Sequence, residues 1–323
     1  MTQTATTPDV SESGELSGGW GQFNVERLRP VKRYALRNPS LIVGLGLMFS
    51  LLLFVGIGHL VWDTDQFRVL STPTRLPPSL NYEIETGKLA GQVKSYPFGT
   101  DTQGRDLLAV AIKGTPLTLR IGLIAGFVSI GLGTVAAFVA AYYRGWVDTG
   151  VRTVVDVGLA MPGLLILILV RINIGRELSV DEMGFALGMV GWVFPARTIR
   201  AQVLVMREQA YVQLSRLSGT SGMGIIFKEM LPNLIPYITA SLVGAVAGAI
   251  LASIGLEAIG LGKFGDPTLG MTIYWNIQFS SIILGMWWWW LPPLVAIVIV
   301  FLGLFLISSG LDEWSNPRLR KRV

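Results

Sequence analysis

Cysteine is absent from the 323-residue sequence, and histidine occurs once, at His59. Disulfide bonds and thiolate catalysis are therefore excluded. Zinc sites built from clusters of cysteine and histidine are excluded for the same reason, and we expect no metal site in this chain.

Charge is also scarce. Charged residues make up 15% of the sequence, against about 25% in soluble domains, and the mean hydropathy is +0.55. This composition excludes a disordered chain and argues against a soluble two-domain protein. The formal net charge of +5 is too small to form a nucleic-acid-binding face, so no nucleic acid partner is expected. The basic residues fit better as flanks beside membrane spans.

Long apolar runs dominate the sequence. A bilayer core of about 30 Å requires about 20 helical residues, because no water is present there to satisfy backbone groups. The fourth run is short and contains Pro195 and Arg197, while the fifth is rich in Gly and Ala. We attribute those small residues to close helix packing in preference to a sliding pathway wall. The runs predict six spans in the lipid bilayer, at residues 41–62, 121–143, 154–174, 183–200, 237–261 and 287–307.

The distribution of Lys and Arg predicts the orientation. These residues are more frequent on the side of the N-terminus, and the excess on the other side is confined to one long loop, where the positive-inside rule weakens. We therefore expect a multi-pass protein of the cell membrane with both termini in the cytoplasm. The expected parts are a disordered basic tail (1–40), the first span (41–62), an external loop (63–120), a core of five spans (121–310) with an internal loop (202–233), and a basic tail (311–323).

The internal loop shows a helix-turn-helix pattern. Tyr211 and Leu214 begin an apolar series at helical spacing, and Gly219 ends it. A second short helix is expected over residues 221–230. It should end at Pro232, because proline inside a helix removes a hydrogen bond.

This loop resembles the EAA loop of ABC importer permeases. That pattern is Glu-Ala-Ala, three residues, Gly, nine residues, Ile, one residue and Leu-Pro. Gly219 and Pro232 fall in register, whereas Gln213, Leu214 and Ser215 replace Glu-Ala-Ala. The spacing is kept while several identities are not.

Further stretches strengthen the resemblance. YPFGTDTQGRDLL (96–108) is similar to the HPLGTDxxGRDxLSR signature of the C-type permease subunits of dipeptide, oligopeptide and nickel importers. Four more stretches resemble the same subunits and follow in the same order as in that family. They are AYYRGWVD (141–148), VDVGLAMPGLL (155–165), IGLGK (259–263) and SSGLDEWSNPRLR (308–320). The resemblance therefore covers about residues 95–320.

The resemblance implies an all-α fold, that of the type I ABC importer permeases. It also implies several partners: a homologous second permease, two ATPase subunits that bind ATP and Mg, and an extracytoplasmic substrate-binding protein. The chain contains no GxxxxGK[ST] sequence, so we expect it to hold no nucleotide cofactor. The internal loop should then contact the ATPase through Tyr211, Gln213, Leu214, Ser215, Arg216, Gly219 and Pro232.

The external motif supplies a second set of candidate residues. Its glycines permit turns, and Thr100 or Asp101 is expected to cap a helix that begins at Arg105. An ion pair of Arg105 with Asp101 or Asp106 is favoured over substrate binding. Residues 63–94 should be irregular and face the binding protein or the second permease. The candidates are Gly99, Asp101, Gly104, Arg105 and Asp106.

Three polar or helix-breaking residues fall within or near spans. Asp156 follows Arg152 by one helical turn, which predicts an ion pair. Pro162 should kink the third span and shape a pathway. Glu257, near the outer end of the fifth span, is a candidate for lining an exit.

The sequence thus favours a non-catalytic permease subunit, without catalytic residues, that imports short peptides. Oligosaccharides and nickel remain open as cargo, because relatives with the same signature take them. A secondary transporter would show inverted repeats and midplane charges, which are not evident. An intramembrane hydrolase would need a base near Ser or an acid inside the membrane, but His59 lies at a span end.

Overall fold

The computed structural model describes residues 38–83, 91, 93–143 and 145–315, so most of both predicted tails lies outside the described residues. A 3-10 helix (Thr64–Phe67) and two strands, β1 (Ser79–Glu83) and β2 (Val93–Tyr96), lie between the first two helices. A helical turn (Gly222–Gly224) and a π-helical turn (Ile225–Met230) join α7 to α8. The helices are α1 (Pro39–Val61), α2 (Leu107–Tyr143), α3 (Gly145–Ala160), α4 (Gly163–Ile174), α5 (Val180–Gly191), α6 (Val193–Arg207), α7 (Ala210–Leu217), α8 (Leu231–Ala258), α9 (Leu269–Gln278) and α10 (Trp287–Ser315).

The predicted all-α polytopic class is confirmed. Among the described residues, α1, α2, the continuous helix Gly222–Ala258 and Trp287–Glu313 of α10 are long and apolar enough to span a membrane. The number of spans becomes five if α3 and α4 count as one. Six runs were predicted, but the run at 183–200 is divided between α5 and α6. Because α6 carries Arg197, Arg200 and Arg207, it is much less apolar than the other runs.

The third predicted span is broken. Helices α3 and α4 meet at an angle of 87°. Pro162 has extended backbone angles and stands directly before the first residue of α4. The predicted kink is confirmed and is a sharp turn, because proline disfavours helical angles in the residue before it and cannot donate a backbone hydrogen bond.

Helix α2 is the central element and packs against α5, α6 and α8. Its 37 residues correspond to a length of about 55 Å. At its start Leu107 packs with Met286 and Trp289, and near its end Phe138 packs with residues of α6, α7 and α8. The external motif and α7 therefore lie at opposite ends of the helical bundle, which we call the motif end and the α7 end.

Helices α1 and α10 run together along the outside of this arrangement. The carboxamide of Asn38 accepts a hydrogen bond from the backbone N–H of Leu41 at 3.2 Å and donates one to Glu313 at 2.6 Å. Helix α10 continues to Ser315, past the predicted boundary at residue 310. The first helix is thereby attached to the last at the α7 end.

Part of the external loop is ordered as a hairpin, so the irregular structure predicted for 63–94 is wrong there. Strands β1 and β2 pair antiparallel, with Ser79 opposite Tyr96 and Tyr82 opposite Lys94. The rings of Tyr82 and Tyr96 meet edge to face, and Tyr96 is fully buried. A short two-stranded hairpin is stable only when other residues pack against one of its faces. The local sequence pattern does not show whether such packing exists.

Candidate functional site

The internal loop forms a short helix held between two long ones. Helix α6 ends at Arg207, and α7 begins three residues later at Ala210. After α7 the chain reverses at Gly219, whose φ of +77° lies in the left-handed region. The N–H of Thr220 donates to the carbonyl of Ser215 at 3.1 Å, and the N–H of Gly219 donates to that of Arg216 at 3.0 Å. This pair of bonds is a Schellman motif, in which glycine is the favoured residue.

One side chain of α7 anchors it to the bundle. Val212 is fully buried and packs in a cluster with Phe138 of α2, Val203 of α6, Ile225 of the π-helical turn and Leu234 of α8. Motion of α7 must therefore be passed to several long helices, because a close-packed cluster moves as a unit.

The remaining apolar side chains of α7 point outward. Tyr211, Leu214 and Leu217 have exposed fractions of 36%, 63% and 85%. They recur every three residues and so share one surface of the helix. We call these three residues the α7 apolar face. A contiguous apolar patch on a surface helix is typical of a protein-binding site.

The other residues predicted for ATPase contact lie around this face. The side chains of Gln213 and Arg216 are exposed, and Ser215 is partly buried. The Gln213 amide donates to the carbonyl of Glu208, just before α7, at 3.3 Å. Arg216 borders a crevice of about 170 Å³ beside Tyr142. The structure thus brings Gln213, Ser215 and Arg216 together with the α7 apolar face on one short element.

Pro232 does not end a helix, and this prediction is wrong. It is the second residue of α8, inside the continuous helix Gly222–Ala258. The π-helical turn Ile225–Met230 lies directly before it. A π-helical turn widens the helix by one residue, which accommodates the missing N–H and the bulk of the proline ring. The second half of the internal loop is therefore a rigid extension of α8.

A groove of about 840 Å³ lies between α8 and helices α4, α5 and α6. Five of the small residues of α8 line it, although Ala249 and Ala252 also pack against a buried cluster, as the close-packing interpretation predicts. The five residues are Gly244, Ala245, Gly248, Ala249 and Ala252.

Polar atoms are few along the groove, and most are hydroxyls. Ser129, Thr198, Tyr237, Ser241 and Ser308 contribute them, together with the carboxylate of Asp312. This set gives no signal in the sequence, because hydroxyl residues scattered over several helices have no shared spacing. A hydroxyl-lined apolar groove can exchange weak hydrogen bonds with a neutral polar solute.

Only one of the two pathway candidates adjoins this groove. Pro162 is exposed and adjoins Gly163, which lines the groove. Glu257 is 3% exposed and is not among the lining residues in the described part of the chain. A Cβ atom added at Gly270, near the start of α9, would lie 2.3 Å from a Glu257 carboxylate oxygen. Glu257 therefore packs at the junction of α8 with α9, a helix that the sequence analysis did not predict.

The external motif is held by a buried ion pair, as the sequence analysis favoured. The Arg105 guanidinium donates to the Asp101 carboxylate at 2.6 Å, and both side chains are almost inaccessible. The same carboxylate accepts the backbone N–H groups of Gln103 and Arg105 at 2.8 and 2.9 Å. Gly99 and Gly104 adopt positive φ angles of +69°. A Cβ at either position would lie 2.5 Å from a backbone carbonyl oxygen.

Asp106, and not Thr100 or Asp101, caps the helix that follows. Helix α2 begins at Leu107, two residues later than predicted, and Asp106 accepts the backbone N–H of Leu108 at 3.1 Å. Its other oxygen accepts the indole N–H of Trp62, at the end of α1. The motif therefore joins α1 to α2.

The Trp run at the start of α10 adds a third connection. Trp288 donates its indole N–H to the carbonyl of Thr100 at 3.3 Å, and Trp289 is fully buried. These two residues therefore attach α10 to the external motif.

Burial raises the pKa of the Asp106 carboxyl to about 6, and the nearby charge of Asp63 acts in the same direction. The hydrogen bonds from Trp62 and from backbone N–H groups oppose the shift only in part. Between these two pKa values, about 3.8 in the unfolded chain and about 6 in the folded protein, the Asp106 carboxyl is protonated only in the folded protein.

This shift predicts a pH dependence of stability. The contribution of Asp106 is fully present below about pH 4 and is lost as the pH rises through about 6, because the folded state is then forced to carry a buried charge. The free energy of unfolding should fall by up to about 3 kcal/mol over that interval. Thermal unfolding of the purified protein in detergent at several pH values measures it. In Asp106→Asn the decline between these pH values should disappear, and an equal decline in the variant would contradict the assignment.

The fold and this site define a polytopic membrane protein with a short exposed helix at one end and an apolar groove between its spans. Residues 129–321 match the family described as binding-protein-dependent transport system inner membrane component. The match covers more than half of the chain. The protein therefore belongs to this family of transport permease subunits, and the predicted membership of the ABC importer permeases is confirmed.

Individual relatives agree with this assignment. The chain is 28% identical over 285 residues to the dipeptide transport system permease protein DppC of Bacillus subtilis, covering 88% of this chain and 84% of that protein. It is 30% identical over 237 residues to the DppC of Alkalihalophilus pseudofirmus, with coverages of 73% and 76%. It is 27% identical over 257 residues to the oligopeptide transport system permease protein OppC of Mycobacterium tuberculosis, with coverages of 78% and 82%.

Proposed function

We propose that this chain is one of two permease subunits of an ATP-driven importer of short peptides, and that ATPase subunits dock on α7. The observation that carries the proposal is the α7 apolar face. Its three large side chains are exposed to solvent, although the helix is anchored in the bundle through Val212. Exposure of such an apolar face to water is unfavourable, and a bound partner removes this unfavourable free energy by covering the face.

The connections of α7 support energy transfer by contact. Helix α6 leads into it, and the π-helical turn leads out of it into α8, which forms one wall of the groove. A displacement of α7 therefore moves the groove wall as a packed unit between discrete arrangements. ATP and Mg belong to the partner subunits in this proposal, and the chain itself carries out no catalysis.

Peptides are proposed as the cargo on two grounds. The relatives are named for dipeptide and oligopeptide transport. The groove is apolar with scattered hydroxyls, which suits a solute that combines apolar side chains with amide groups. A second, homologous permease would supply the facing wall, and an extracytoplasmic binding protein would deliver the peptide at the motif end.

Isolation of the intact complex tests this function. A tagged chain extracted from native membranes should retain a homologous permease, two ATPases and a binding protein whose bound solute mass spectrometry identifies as peptide. Uphill uptake by the purified chain alone in liposomes would contradict the proposal. A sugar or nickel in the binding protein would overturn the cargo but not the coupling.

The orientation can be tested on the same chain, because it contains no cysteine. Leu217→Cys at the α7 end and Leu80→Cys at the motif end each place one thiol at an exposed position. An impermeant maleimide added to whole cells should label the cysteine at position 80 and not the one at position 217. The reverse pattern would place α7 outside the cell and exclude ATPase docking.

A further inference from the structure

Helix α3 is amphipathic and lies at the α7 end, directly after α2. Asp148, Arg152 and Asp156 recur at intervals of four residues and form a charged stripe. The opposite surface is apolar and exposed, with Trp146 at 93% and Val154 at 57%. Because α3 meets α4 at 87°, the two helices do not share one direction. This combination is typical of a helix in the membrane interface.

A cleft of about 310 Å³ lies between α3 and α6. Short apolar side chains and charged side chains from both helices line it. The lining comprises Val151, Arg152, Val155, Asp156, Ala196, Arg197, Arg200 and Ala201.

The charges of the cleft are only partly paired. Arg200 forms two hydrogen bonds of 2.6 Å with Asp148, which joins α6 to α3. Asp156 stands between the other two arginines, at 3.7 Å from Arg152 and 3.9 Å from Arg197. Both distances are longer than that of a hydrogen bond. Three arginines and two aspartates leave one positive charge in excess around the cleft.

The two loosely paired arginines can reach an external anion. The side chains of Arg152 and Arg197 are 69% and 64% exposed, on opposite sides of the Asp156 carboxylate. Guanidinium groups bind phosphate oxygens with paired hydrogen bonds. A basic pocket between membrane helices is a known arrangement for anionic lipid headgroups.

We propose that this cleft binds the phosphate of an anionic phospholipid, with Arg152 and Arg197 donating to its oxygens. The apolar surface of α3 then lies against the acyl chains of the same leaflet, with Trp146 at the interface. The bound lipid bridges α3 and α6, and α6 is the helix that leads into α7. The proposal requires the membrane location of the chain but not its coupling to ATPases.

Lipid binding to the full-length protein tests the proposal. The purified chain is placed in nanodiscs of phosphatidylcholine, and phosphatidylglycerol binding is titrated by native mass spectrometry. Each Arg→Gln change at positions 152 and 197 should weaken phosphatidylglycerol binding about fivefold, as expected for one basic residue near an anionic headgroup. Asp156→Asn should strengthen it by a similar factor, because it removes the competing carboxylate.

Matched controls separate this site from general charge effects. Arg120 pairs with Asp181 across two helices and is comparably exposed, but it lies in the first half of α2, toward the motif end. Arg120→Gln should leave phosphatidylglycerol binding unchanged. Equal binding by all variants, or a weaker affinity in Asp156→Asn, would overturn the proposal. Displacement of the lipid by millimolar inorganic phosphate would also overturn it, since the site would then be selective for the free anion.

Discussion

Import should fall at least tenfold when Gly219 is replaced by valine, while the protein still inserts in the membrane. The φ of +77° at this position costs about 1–3 kcal/mol for a residue with a branched side chain. No atom lies within 4 Å of a Cβ built there, so the effect is conformational and not a steric clash. Loss of the Schellman motif would change the direction in which the chain leaves α7, and with it the orientation of the α7 apolar face. Uptake of labelled peptide in cells or proteoliposomes measures the effect.

Two further variants show whether the backbone conformation is responsible. Gly219→Asn should retain most of the uptake, because asparagine tolerates positive φ. Gly56→Val in α1 introduces the same side chain where a Cβ also meets nothing within 4 Å, and uptake should be normal. Wild-type uptake by Gly219→Val would show that the turn after α7 does not take part in coupling.

Replacement of Leu214 by glutamate should weaken binding of the ATPase at least about thirtyfold and abolish transport. Leu214 is the middle residue of the α7 apolar face and is 63% exposed, so a charged side chain remains solvated in the free subunit. In the complex the same charge would be buried without a partner, which costs about 2 kcal/mol or more at the centre of an interface. Co-purification of the ATPase and transport-coupled ATP hydrolysis give the two measurements.

The control places the same change at the other end of the bundle. Leu80, on the external hairpin, is 70% exposed, and Leu80→Glu should leave ATPase binding unchanged. Thermal unfolding should be similar for both variants, since neither side chain is buried. If Leu214→Glu retained the ATPase at wild-type affinity, docking on the α7 apolar face would be disproved.

The apolar runs predicted the long helices well. Helices α1, α2, α8 and α10 coincide with apolar runs of about 20 residues. Such runs form helices because, in lipid, backbone N–H and C=O groups can form hydrogen bonds only with each other. Helix boundaries were less accurate. Pro232 was expected to end a helix, but a π-helical turn accommodates it.

The candidate site was predicted in part. The position of α7 and its glycine turn follow from local spacing and resemblance, and the ion pair of Asp101 with Arg105 follows from the motif. The hydroxyls of the groove could not be found, because they come from four different helices. Their proximity depends on how those helices pack.

By itself, the amino-acid sequence determined that the chain is a helical membrane protein with a short helix before Gly219 in its internal loop, and it excluded thiol chemistry and a nucleotide-binding loop. Hydrophobic run length and glycine conformation are local properties, which is why these conclusions needed no tertiary information. The tertiary structure alone decided that the apolar side chains of α7 face outward, that the small residues of α8 line a groove, and that arginines of α3 and α6 share a cleft. These features depend on which surfaces of separate helices meet, and packing between residues distant in the chain determines that.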